Sequence, residues 1–77
     1  MTKSELKNGM IVKYRNGKVR LVLNGELYHM MGERILYTAD LDDWDNDLKS
    51  MFSGGLDIMS VRSTANTTLW TRPEVPE

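Results

Sequence analysis

Three aspartates at alternate positions, Asp43, Asp45 and Asp47, stand where a calcium loop presents its first oxygen ligands. That chemistry also needs glycine at the sixth position and a bidentate glutamate at the twelfth. Here those positions hold Leu48 and Gly54, so the motif does not carry through to a calcium site. His29 is the only histidine and there is no cysteine, which leaves a zinc site or an activated nucleophile without a partner set. No nucleophile–base pair, carboxylate pair or metal-ligand spacing survives inspection. The chain therefore reads as a non-enzyme, with no catalytic residue, no metal and no cofactor expected.

Two charged regions remain as candidates for binding. Residues 1–20 carry six Lys and Arg side chains against Glu5 alone, and residues 24–47 carry seven carboxylates against Arg34 alone, within a net charge of −1. In the acidic stretch, Asp40, Asp42, Asp43, Trp44, Asp45 and Asp47 form a candidate protein-binding surface: an aromatic anchor rimmed by carboxylates. The same segment admits a plainer reading, in which Leu41, Trp44 and Leu48 fold back to plug one end of the core and the carboxylates are solvated. In the basic stretch, Lys13, Arg15, Lys18 and Arg20 form a candidate nucleic-acid-binding set. Its plainer reading is a solvated hairpin face whose cations guard against aggregation.

The elements that must position these residues are mostly strands. Thr2 and Glu5 have capping-box spacing, enough to start one helical turn over Lys3–Lys7 before Asn8-Gly9 stops it. Met10–Arg15 and Lys18–Leu23 flank Asn16-Gly17, a pair suited to a two-residue type I′ turn. That turn sets Lys13 opposite Arg20 and Val12 opposite Leu21. One face then gathers Met10, Val12, Tyr14, Val19, Leu21 and Leu23, and the other gathers the four cations. Asn24-Gly25 is a second turn signal before Glu26–Met31, and Gly32-Glu33 a third before Arg34–Thr38. A short helical turn is expected near Leu48–Phe52, broken by Gly54-Gly55. Strands over Leu56–Ser63 and Thr67–Arg72 follow, joined by a turn at Thr64–Asn66. His29 and Trp70 read as ordinary strand residues, and the six methionines read as adaptable core filler.

Seventy-seven residues make one domain, 1–72, with a short tail at 73–77 marked by Pro73 and Pro76. A core this small supplies only about 3–5 kcal/mol net, with no disulfide to add to it. Binding a partner or self-association are two further sources of stability. The expected fold is mostly β: a small, SH3-like, partly open barrel of five to six short strands with one short helical turn. An OB-like barrel is the alternative. The charged start lacks the apolar run of a secretory leader, and no stretch approaches the ~18 apolar residues of a membrane span. A cytoplasmic setting with no membrane partner is the expectation.

Several landmarks in order, Leu6-Lys7-Asn8-Gly9-Met10, Arg15-Asn16-Gly17, Asn46-Asp47-Leu48, Asp57-Ile58 and Leu69-Trp70-Thr71-Arg72, resemble a group of small proteins encoded in phages and prophages of Gram-positive bacteria. The resemblance spans nearly the whole chain. It implies a phage-associated cytoplasmic protein and carries no activity or functional residue across. The expected role is a binding module that engages a host or phage protein, with weak nucleic-acid binding by the basic face as the alternative.

Overall fold

The computed structural model describes residues 1–73. Six strands, β1 (Ile11–Tyr14), β2 (Val19–Leu23), β3 (Glu26–Met31), β4 (Arg34–Asp40), β5 (Ile58–Arg62) and β6 (Thr68–Thr71), form one antiparallel sheet in the order β4-β3-β2-β1-β5-β6. The fold is mostly β, as the turn-rich sequence implies, but the sheet is open, with β4 and β6 as its two edges. Residues 74–77 of the expected tail lie outside the described residues.

One face of the sheet carries the core. Val12, Tyr14, Val22, Leu27, Ile58 and Val61 point into it, and Leu41, Trp44 and Leu48 cover them from the long β4–β5 connection. The connection, rather than closure of the sheet, therefore excludes water from the core. Short 3-10 turns at Lys3–Glu5, Leu41–Asp43 and Gly54–Leu56 complete the chain's local structure. The first is the single turn that the capping-box spacing implies, with the Thr2 N–H donating to the Glu5 carboxylate at 3.2 Å, and it ends at Glu5, two residues short of the expected span.

Two expectations are corrected here. The helical turn expected near Leu48–Phe52 is absent. Asp45 instead folds 45–49 into a tight loop: its N–H donates to the Lys49 carbonyl and its Oδ1 accepts from the N–H groups of Asp47 and Lys49. Trp44 and Ser50 bridge across this loop, and Gly54-Gly55 lies within a 3-10 turn instead of breaking a helix.

The second correction concerns the first hairpin, which slips by one residue from the expected register. Lys13 pairs with Val19, Val12 with Arg20 and Ile11 with Leu21. The loop has three residues, Arg15–Gly17. The Gly17 N–H donates to the Tyr14 carbonyl at 2.9 Å, the Tyr14 N–H donates to the Lys18 carbonyl at 2.8 Å, and only Gly17 takes positive φ, at 89°. A type I turn closed by a left-handed residue has this pattern. The slip puts Arg20 and Val22 on the core face and turns Val19 and Leu21 outward, because successive strand side chains alternate.

Candidate functional site

The acidic stretch divides. Trp44 is 2 % exposed, stacks on Tyr14 with ring centroids 5.7 Å apart, and donates its indole N–H to the Leu56 carbonyl at 2.9 Å. Its ring is a core plug, as are Leu41 and Leu48, so it is not available as the anchor of a binding surface. Asp40, Asp42 and Asp47 are exposed, while Asp43 and Asp45 are half-buried. Asp45 closes its own loop, and Asp40 accepts the Tyr37 hydroxyl at 2.9 Å, a bond that raises the Tyr37 pKa. Two cations grip the loop through its backbone: Lys3 Nζ donates to the Trp44 carbonyl and Arg72 Nη2 to the Asp47 carbonyl. Among the described residues, no cluster of three or more His, Asp or Glu is placed to hold a metal ion.

The four hairpin cations do not share a face, and the slipped register is the reason. Lys13 points to the outer face and Arg20 to the core face. There the Arg20 guanidinium lies over the Tyr14 ring at 5.6 Å, and its Nη1 donates to the Val19 carbonyl at 2.8 Å. Arg15 is drawn aside towards Asp57, 3.7 Å away, and Lys18 is exposed at the base of the loop.

What the sequence reading missed is the outer face. The strand registers set its side chains in rows. Tyr37, Tyr28, Leu21, Ile11 and Arg62 run across one row, and Ile35 with Met30, then Val19 with Lys13 and Ser60, run across the next. Val19, Met30, Ile35 and Tyr37 are 37 to 55 % exposed, and the Tyr28 and Tyr37 rings meet edge to face at 6.1 Å. An apolar block thus covers β2–β4. Lys13 and Arg62 flank it on β1 and β5, and the directly opposed Glu26 and Asp40 flank it at the far corner of β3 and β4. No described segment of the chain packs on this face in the way that residues 41–57 cover the other.

The strands also part. The β2–β3 ladder ends at Leu21 and Tyr28, while β3 and β4 stay paired to Met31 and Arg34. The gap beyond is a cavity of about 420 Å³ lined by Lys18, Val19, Arg20, His29 and Met30. A second cavity of about 320 Å³ adjoins it on the outer face, lined by Ile11, Lys13, Val19, Met30, Ser60, Arg62 and Asn66. Val19 and Met30 are common to both, and no carboxylate lines either.

Comparison of the chain with protein families, with curated proteins and with solved structures finds no match. No helix among the described residues is long and apolar enough to cross a membrane.

Proposed function

We propose that the chain is a non-enzymatic binding module that engages a protein through the outer face of its sheet. The observation that carries this reading is the asymmetry of the two faces. One is covered by the chain itself except at its β3–β4 end, where Met31 and Leu36 are exposed, and the other leaves a contiguous apolar block uncovered between a basic and an acidic flank. Contiguous exposed apolar patches with polar rims mark interaction sites, and aromatic side chains and methionine are enriched in such contacts. The partner this face fits is a protein surface with an apolar centre and carboxylates towards Lys13 and Arg62. A phage-associated setting in the cytoplasm, acting on a host or phage protein, is consistent with the resemblance of the chain's landmarks.

The test uses a photo-crosslinking residue at Ile35 and purified chain in parallel. Nuclease-resistant crosslinking to a single protein, lost in Met30→Asp and retained in Asp42→Asn, with the purified chain monomeric by sedimentation, supports the module. Concentration-dependent dimerisation abolished by Met30→Asp would show instead that a second copy covers the face. Crosslinking that nuclease treatment removes would favour the nucleic-acid reading.

That second reading has its own observation: five basic side chains, Lys13, Lys18, Arg20, His29 and Arg62, line two adjoining cavities. With about four phosphates met at most, binding falls steeply with salt through counterion release and is weak near physiological ionic strength. Asp40–Asp47 and Glu26 repel the same polyanion.

A further inference from the structure

We infer that the gap between β2 and β3 is an anion subsite for a carboxylate on an acidic segment of the protein partner, an inference that rests on the binding-module reading. Three side chains with N–H donors, Lys18, Arg20 and His29, line a cavity that holds no acidic side chain. Arg20 is fixed in advance. Its ring contact with Tyr14 and its bond to the Val19 carbonyl hold the guanidinium in one place, so little side-chain entropy remains to be lost on binding. Its Nη1 lies 3.2 Å from His29 Nδ1. A guanidinium can only donate, so His29 Nδ1 accepts, and the remaining ring nitrogen of His29 carries the proton and is a second donor. Arg20 Nε is buried and has no hydrogen-bond partner among the described residues. A buried donor without an acceptor costs free energy, which an oxygen would recover on reaching it through a small opening of the strands.

The ligand chemistry follows from the walls. Val19 and Met30 give the cavity an apolar side continuous with the outer face, where a peptide's neighbouring apolar residue would sit. A planar guanidinium beside an imidazole matches a carboxylate, which can accept two parallel N–H bonds. A nucleic-acid strand brings phosphates in series, and these meet the acidic corner of Glu26 and Asp40. A short peptide that seats one carboxylate in the gap and its neighbouring apolar residue on Val19 and Met30 need not reach that corner.

The experiment uses the full chain with a capped pentapeptide alternating leucine and glutamate, its glutamine counterpart, and a single-stranded oligonucleotide. Binding is followed by NMR on the Arg20 Nε–H and the His29 ring protons. The acidic peptide should shift these signals and bind about tenfold or more tightly than the glutamine peptide, as a charged hydrogen bond requires. Lys18→Gln, at an exposed position, should narrow that difference, and Arg20→Lys should largely remove it by deleting the fork while keeping the charge. Equal affinity for the two peptides would overturn the carboxylate subsite. If Ile35→Asp still abolished binding of both, the outer-face module would stand without it. Tighter binding of the oligonucleotide, with the same signals shifted, would reassign the subsite to phosphate.

Discussion

Two adjacent hairpins begin from the same dipeptide and turn differently. At Asn24-Gly25 both residues have positive φ, 51° and 74°, and a two-residue loop sets Leu23 opposite Glu26. At Asn16-Gly17 only the glycine is left-handed, and Arg15 joins the loop. The surroundings account for the difference. The Arg15 N–H donates to the Asp57 carbonyl at 2.9 Å and the Asn16 N–H to the Gly55 carbonyl at 3.0 Å, so the first loop extends the β1–β5 contact past Tyr14. Asn16 Oδ1 also accepts the Lys18 N–H at 2.9 Å. The second loop is held differently: the Asn24 N–H donates to Asn8 Oδ1 at 2.7 Å, and the Gly25 carbonyl accepts the Leu41 N–H at 2.9 Å, so neither contact draws a third residue into the turn. An Asn-Gly pair marks where a chain turns, and the strands around it decide how many residues the turn takes.

The register is the consequence with the largest energetic reach, and paired substitutions test it. Val22 is 1 % exposed on the core face, whereas Leu21 is half-buried on the outer one. Val22→Asp places a carboxylate among Val12, Leu27 and Trp44 and should cost about 4 kcal/mol or more, most of the stability of so small a domain. Leu21→Asp should cost about 1–2 kcal/mol, the transfer energy of a partly covered side chain. Urea denaturation of the two variants decides the matter, and the reverse order would restore the two-residue loop at Asn16-Gly17.

Much of the fold was legible because its signals were local. Every strand was placed within about two residues, and the turn positions at Asn24-Gly25 and Gly32-Glu33 were read from residue type. Leu41, Trp44 and Leu48 were readable as a plug because they are the apolar residues in an acidic run. The hairpin register was not legible, and neither was the candidate site, for one shared physical reason. Alternation fixes a register when one face is polar, but β2 carries Val19, Leu21 and Leu23 on one face and Arg20 and Val22 on the other. The apolar outer face that made Leu21 look like core is the feature now read as a docking surface. The β2–β3 gap depends on where a ladder stops, which no residue type signals.

The loops themselves can be separated by a smaller effect. The left-handed turn position occupied by Gly17 recurs at Leu48, with φ 64°, and at Asn66, with φ 63°, each closed by the same pair of backbone bonds. Leu48 keeps this conformation while fully buried, so its packing outweighs about 1 kcal/mol or more of backbone strain. For the two asparagines the structure gives losses of different size and cause. Asn24→Val forces a β-branched residue to positive φ and should cost about 1–3 kcal/mol. Asn16→Val keeps negative φ, loses the bond to the Lys18 N–H, and should cost about 0.5–1.5 kcal/mol. Equal losses in thermal denaturation would mean that the two turns are of one type.

The smallest effect is electrostatic and reports the register through Tyr14. Burial raises the Tyr14 pKa above its ordinary value of 10.0, while the nearby Arg20 charge and the Thr38 hydroxyl pull it back down. Arg20 can act this way only because the three-residue loop brings it to the core face beside Tyr14. The raised value has a definite sign for stability. Below the unfolded pKa both states hold the phenolic proton and there is no effect. As pH rises past it, the unfolded chain ionises first and the folded state loses stability through its own higher pKa. Urea midpoints should therefore fall above about pH 10, more steeply than in Tyr14→Phe, whose difference from the parent isolates this group from the other tyrosines and the lysines. Arg20→Gln should push the Tyr14 titration, followed by tyrosinate absorbance, higher still. If it leaves that titration unmoved, Arg20 does not face Tyr14, and the slipped register together with the anion subsite built on it would have to be given up.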